Sequence, residues 1–153
     1  MIRISDGDIS SLPDIAALVE RAFPAEYGEG WNASQLRSMM SLRHVRSYVA
    51  HRENDLVGFA IVRTILEECE ILLIAVDPES RREGVATGLL AQLTSEAKAM
   101  SVTRLFLEMR EGNAAEALYT AHGFRPVGRR TDYYRGPTGL RYDAITFADI
   151  VGQ

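Results

Sequence analysis

The stretch Glu70–Leu90, EILLIAVDPESRREGVATGLL, decides the fold. Its first seven residues are a nearly continuous apolar run, as expected for a central strand covered on both faces. A DP turn, two arginines, an acid and Gly84 follow. Beyond them Val85, Leu89, Leu90, Leu93, Ala97 and Met100 recur at helical spacing. The next apolar run, RLFLEMR (104–110), is again a central strand, so this region predicts one strand–helix–strand unit.

Working outward, RSYVAHR (46–52) and DLVGFAIVRTI (55–65) read as strands joined at ENDL. Before them, LPDIAALVERAF (12–23) has the spacing of an amphipathic helix, and AEYGEGW carries turn residues and an aromatic. A short second helix follows, with Asn32 or Ser34 as its cap and Leu36, Met39 and Met40 facing inward. Downstream, AAEALYTAHGF (114–124) is a short helix stopped near Gly123. RPVGRRTDYYR and RYDAITFADI then form two strands across the turn GPTG. Residues 1–153 read as one α/β domain with a mixed sheet rather than a doubly wound parallel one.

The composition sets bounds. With 153 residues, 46% hydrophobic and 25% charged, the chain supports a single core. No window approaches the ~18 apolar residues of a membrane span, and MIRISDGDISSLPD lacks the regions of a signal peptide. The single cysteine, Cys69, permits no internal disulfide and no zinc site of several cysteines, which suits a cytoplasmic location. It sits beside an apolar run and reads as a buried thiol. The net charge of −4 argues against nucleic acid as partner, although Arg81-Arg82 and Arg129-Arg130 form local basic clusters.

The loop from Arg81 to Thr87 raises a choice. GxxxxGK[ST] is absent, and Gly84 and Gly88 have the wrong spacing for GxGxxG. A helix N-terminus offers free N–H donors and partial positive charge, which suits a pyrophosphate. Gly84 would admit the ligand close to the backbone, Ala86 would keep that surface low, and Arg81 and Arg82 would add charge-assisted contacts. An ordinary loop with exposed arginines fits the same stretch equally well.

Wider context separates the two. IAVDPESRREGVATGLL resembles the acyl-CoA motif Arg/Gln-x-x-Gly-x-Gly/Ala of the GNAT superfamily of N-acetyltransferases. LEMREGNAAEALYTAHGF is similar to that superfamily's second signature, an Asn-led loop and a helix with Leu-Tyr ending in Gly-Phe. GRRTDYYRGPTGLRYDAITF resembles the tail of the ribosomal-protein alanine N-acetyltransferases (the RimI-type family), where a Tyr-Tyr pair is typical. The resemblance implies the GNAT fold: a mixed, mostly antiparallel sheet of six to seven strands flanked by about four helices. It also implies direct acetyl transfer from acetyl-CoA, as cosubstrate and without a metal, to an amine.

By this resemblance the backbone of Ile74, Ala75 and Val76 runs beside the pantetheine arm, where a bulge splays the strand from its neighbour. Arg82, Glu83, Gly84, Val85, Ala86 and Thr87 would hold the pyrophosphate, with Arg81 a peripheral contact. Glu108 is the first choice for general base, because a carboxylate among LFL and M on a central strand needs a reason for its burial. Its alternative is an ion pair with Arg110 or another arginine on the same face. Glu70 is the second candidate, relaying a proton through water, or a solvated strand end. Tyr119 would be the general acid: a phenol near ~10 holds a proton that a thiolate near ~8.5 requires. Asn113 matches the family asparagine that contacts the cofactor. Six residues separate it from Tyr119 where the family usually has seven; either the loop is one residue shorter or Gly112 occupies the usual place.

The acceptor follows from reference pKa values. An α-amine near ~8 is roughly a tenth neutral at pH 7, whereas a lysine near ~10.4 is neutral only a few times in ten thousand. A site with one carboxylate base therefore suits a protein N-terminus, and the resemblance points to the N-terminal alanine of a small-subunit ribosomal protein. Tyr133, Tyr134 and Trp31 would wall an extended peptide, or pack at a sheet edge. Small-molecule amines are the nearest alternative acceptors, and a non-catalytic acyl-CoA-binding module is the alternative of a different class. No nucleic-acid or membrane partner is expected.

Overall fold

The computed structural model describes residues 1–150. Its strands are β1 Ile2–Asp6, β2 Val45–Arg52, β3 Asp55–Ile65, β4 Glu68–Val76, β5 Arg104–Arg110, β6 Arg125–Arg135 and β7 Arg141–Ile150. They form one seven-stranded sheet in the order β1-β2-β3-β4-β5-β7-β6. The helices are α1 Leu12–Ala22, α2 Ala33–Met40, α3 Val85–Ala99 and α4 Glu116–Ala121. Only β4 and β5 pair in parallel; the other five pairs are antiparallel. A parallel pair needs a crossover, and α3 supplies it.

Helix boundaries follow local chemistry. Asn32, not Ser34, caps α2: its Oδ1 accepts from the Gln35 N–H at 2.8 Å, while Gln35 Oε1 accepts from the Asn32 N–H at 2.9 Å. Pro13 stands in the first turn of α1, where its missing N–H costs nothing. β1 is the strand the sequence reading did not find. Ile2 and Ile4 do alternate, and both pack on the core, but five residues at a sheet edge give a short signal.

Two cores lie on opposite faces of the sheet. On one, α3 buries Leu89, Leu90 and Leu93 against Leu105, Leu107 and Phe147. On the other, Ile15, Leu18 and Leu36 of α1 and α2 meet Phe59 and Ile61. Each buried leucine contributes about 1.5–3 kcal/mol relative to an exposed one. Gly58 lets α3 approach the sheet, since a Cβ there would lie 2.6 Å from Val85 Cγ1.

The site depends on a change of face in β4. Ile61 pairs with Leu73 and Val62 with Ile71, so Leu72 is an extra residue in that strand. Before it, Cys69 and Ile71 join the α3 core; after it, Leu73 and Ala75 join the α1 core. Pairing of β4 with β5 runs from Glu68↔Arg104 only to Ile71↔Leu107. Residues 72–76 of β4 and 108–110 of β5 continue without pairing to one another, while each keeps its other neighbour. A wedge therefore opens at Leu72, with unpaired backbone along one edge.

Candidate active site

The wedge leads to the N-terminus of α3. Asp77 Oδ1 accepts from the Glu79 N–H at 3.0 Å and closes a tight 3-10 turn, Pro78–Ser80. Asp77 also pairs with Arg21 at 2.9 Å; the Glu79 N–H, with Arg21 next, holds its carboxyl below the usual range. From β2, Arg52 donates to Ser80 Oγ at 3.0 Å and pairs with Glu83. The loop is thus fixed from below while Arg81, Arg82 and Gly84 stay exposed.

Arg82 at φ +65° and Gly84 at φ +82° both adopt the left-handed conformation that brings the chain round into α3. Gly84 is the N-cap and provides no side-chain acceptor, so no cap side chain covers the first N–H groups of this 15-residue helix. A Cβ at Gly84 would meet nothing within 4 Å, so the approach is open. Val85 is buried in the core beneath. Free donors, a positive helix end and two exposed arginines fit a pyrophosphate. Ile74 and Val76 face the α3 core and Ala75 the α1 core, so all three lie along the unpaired edge of β4.

Across the wedge, Leu105, Leu107 and Met109 of β5 bury on the α3 face, which turns Phe106, Glu108 and Arg110 to the other. Glu108 is largely buried, and its Oε2 lies 3.0 Å from Nε of Arg130 on β6. The alternative of an ion pair with Arg110 or another arginine is met by Arg130, not by Arg110. Although close to Arg130, Oε2 is enclosed and receives no aligned hydrogen bond, so it keeps full capacity to accept one. Glu70 is matched in register with Arg63 and pairs with it at 2.7 Å.

Tyr119 lies on the opposite face, in α4, packed edge-on to Phe124 at 5.8 Å and buried in the α3 core. Burial alone pushes its phenol above the ordinary tyrosine value. Glu108 therefore stands where β4 parts from β5, and Tyr119 is buried on the other side of the sheet.

A third group closes the end of β5. Arg110 donates through Nε to Glu29 Oε1 at 2.6 Å, and its guanidinium lies 3.7 Å from the Tyr27 ring centroid. Asn113 donates to Glu29 Oε2 at 3.0 Å, and its own Oδ1 accepts from the Ala115 N–H at 2.8 Å. Both polar ends of the Asn113 side chain are thus held within the protein. Tyr27 meets Tyr142 edge-on at 5.2 Å. Tyr134 packs edge-on to Tyr133 at 5.1 Å. Burial, then the charges of Glu29 and Glu108, push the Tyr134 phenol above its ordinary value. Tyr133 is half exposed beneath Arg130, and Trp31 packs against the α1 core.

The segment that carries Glu29 touches the β6–β7 hairpin directly. A Cβ on Gly28 would lie 2.1 Å from Arg135 O, and one on Gly136 would lie 1.9 Å from Glu26 O. The resemblance sets the YGEGW segment (27–31) near the acceptor, but sequence reasoning singled out neither Tyr27 nor Glu29, and it missed Tyr142. The pattern Gly-Glu-Gly was the available signal, since two glycines around one acid mark a backbone threaded through a close contact. Among the described residues, no group of three or more His, Cys, Asp or Glu is placed to hold a metal ion, and no helix is long and apolar enough to cross a membrane.

Comparison with known proteins identifies the family to which this fold belongs. The acetyltransferase (GNAT) family model matches residues 12–124. A ribosomal protein bS18 alanine N-acetyltransferase of Escherichia coli K12 is 33% identical over 151 residues, covering 97% of each chain. Its Haemophilus influenzae counterpart is 34% identical over 118 residues, covering 77% of this chain and 80% of its own. The crystal structure of the ribosomal-protein-S18-alanine N-acetyltransferase from Escherichia coli superposes with a TM-score of 0.88 at 31% identity, covering 100% of this chain and 96% of that one. The chain belongs to the GNAT family of acetyltransferases.

Proposed function

We propose that this protein is a cytoplasmic, acetyl-CoA-dependent Nα-acetyltransferase whose acceptor is the N-terminal alanine of ribosomal protein bS18. The observation that carries the reading is the wedge between β4 and β5, with Glu108 on one face, Tyr119 on the other and the Gly84 turn at its mouth. The acceptor rests on the relatives just described, which carry that activity in their names over most of the chain.

Acetyl-CoA bound in the wedge supplies the acetyl group as an activated thioester. The N–H groups from Arg82 to Thr87 hold its pyrophosphate, and Arg81 adds charge. The edge of β4 from Ile74 to Val76 lines the arm, and one N–H there polarises the thioester carbonyl. Glu108 takes the proton that the acceptor's ammonium must lose before its nitrogen can attack; its Oε2, near Arg130 but without an aligned hydrogen bond, is the receiving atom. Tyr119, kept protonated by burial, donates its phenolic proton to the sulfur as the C–S bond breaks, and the second proton that the nitrogen sheds as the amide forms restores the phenol. Tyr133, Tyr134 and Trp31 form the acceptor's wall, and Glu70 stands one step behind Glu108 on the same face.

The test is mass spectrometry of a synthetic peptide with the bS18 N-terminus, beginning at alanine, after incubation with acetyl-CoA and enzyme. A mass gain of one acetyl group at the α-amine is expected, and loss of that gain in Glu108→Gln. Acetylation of polyamines or lysine side chains with none at alanine would overturn the acceptor assignment. Equal and negligible turnover by both proteins on every amine would favour a binding module.

A further inference from the structure

We infer that Glu29 is a positioning residue that ties the strand of the base, the helix of the acid and the acceptor's wall into one rigid unit. The inference rests on the reading of Glu108 and Tyr119 as base and acid, and it goes beyond it by assigning a residue that touches neither reacting group. Glu29 is nine-tenths buried, an expensive place for a carboxylate without partners. It has two, one on each oxygen. Oε1 accepts from Arg110, two residues beyond Glu108 on β5. Oε2 accepts from Asn113, whose other end takes the Ala115 N–H just ahead of α4 and Tyr119. The backbone around Glu29 lies against the hairpin at Gly28, where a Cβ would strike Arg135 O. On its other side Gly30 rests on α1, where a Cβ would lie 3.2 Å from Val19 Cγ1 and Phe23 Cβ.

Pairing of β5 with β7 and the contacts of Tyr27 with Arg110 and Tyr142 also join some of these parts, but Glu29 is the side chain whose two oxygens hold both β5 and the turn before α4. Glu29 and Arg110 are 81 positions apart in the chain, and Glu29 and Asn113 are 84 apart. The β5–α4 connection is a short turn and α4 has only six residues, so the Glu29 joint adds to the packing of Tyr119 on Phe124 in setting where Tyr119 stands relative to Glu108. A charged acceptor shared by two donors is a strong, directional joint. Replacing it by an amide leaves one donor facing an NH2 group and removes the charge that balances Arg110.

The test compares wild type with Glu29→Gln, and with Glu29→Asp as a variant that keeps the charge. Amide hydrogen exchange over residues 113–121 is followed in the absence of any ligand, with residues 85–99 as internal reference. Turnover is measured with acetyl-CoA and the alanine-starting peptide. Expected for Glu29→Gln are faster exchange over 113–121 alone and a kcat lower by about 10- to 100-fold, the scale of an ångström-sized misplacement. The KM for acetyl-CoA should stay within about threefold, and Glu29→Asp should recover part of the lost kcat. Unchanged exchange, or unchanged kcat in the folded variant, would overturn the assignment. If wild type fails to acetylate the peptide, the acceptor reading falls, and the exchange result alone decides for or against the clamp. If Glu29→Gln does not fold, the same two measurements on Glu29→Asp decide it.

Discussion

Nε of Arg130 lies 3.0 Å from Oε2 of Glu108, yet that oxygen accepts no aligned hydrogen bond and is sealed from solvent. The pair is asymmetric: the arginine side chain is 60% exposed and the glutamate 16%. Arg130 can swing away on the outer strand, whereas Glu108 is held by β5. An oxygen with an unfilled lone pair at the closed end of the wedge, just past the last β4–β5 pair, is suited to receive a proton. Glu108→Gln should therefore lower kcat/KM by about 10²–10⁴-fold, the usual contribution of a positioned base. Affinity for CoA should change little, as judged by titration calorimetry. Arg130→Gln should alter stability by less than about 1 kcal/mol, because exposed pairs contribute little; chemical denaturation checks this.

Gly84 tests the phosphate turn. Its φ of +82° strains any side chain, while the space above it is empty. Gly84→Val should weaken CoA binding by about tenfold or more, roughly 1.4 kcal/mol. Part of the cost falls on the left-handed backbone, about 1–2 kcal/mol. Gly84→Ala separates the two, since it carries the backbone cost with little added bulk. Equal CoA affinity in Gly84→Val and wild type would show that no ligand passes over this residue.

Tyr119 links the chemistry to pH. Tyr119→Phe should lower kcat by about 10- to 100-fold while retaining the fold, because the ring and its contact with Phe124 remain. Burial raises the phenol's pKa in the folded state, so above about pH 10 the unfolded chain releases a proton that the folded chain keeps. By linkage, its contribution to stability is complete below that pH and declines as pH rises. Tyr48 and Tyr134 are shifted in the same direction and add to the slope. Denaturation midpoints between pH 8 and 11 should fall less steeply in Tyr119→Phe than in wild type.

Much of this was legible in the chain because its signals are local. The bounds of β3, β5, β6 and β7 agree with the runs read from the sequence, since apolar alternation and turn residues sit within a few positions of one another. The path from Glu70 through Gly84 into α3 was legible for the same reason. The resemblance supplied a splayed strand but not the residue responsible; only register shows that Leu72 is the extra one. What stayed hidden depends on residues distant in sequence. Glu108 faces Arg130 rather than Arg110 because Arg110 is already engaged by Glu29, and no spacing rule connects positions 29 and 110. Chain folding decides that competition, not pattern.

The contact between the Glu26–Glu29 segment and the hairpin should be specific to the acceptor side. Gly136 admits Glu26 O so closely that a Cβ would lie 1.9 Å away, and that neighbour is backbone, which cannot rotate aside. Gly136→Ala must therefore push the segment off the hairpin, disturbing Tyr27 and Tyr134 together. The cost in stability should be about 1–3 kcal/mol, as for other overpacked contacts. The Gly84 turn and the β4 edge lie on different elements, so the KM for acetyl-CoA should hold while the KM for the alanine-starting peptide rises. Steady-state kinetics with each substrate varied in turn separates the two. A rise in both constants to the same extent would mean that this contact supports the whole domain rather than the acceptor's wall.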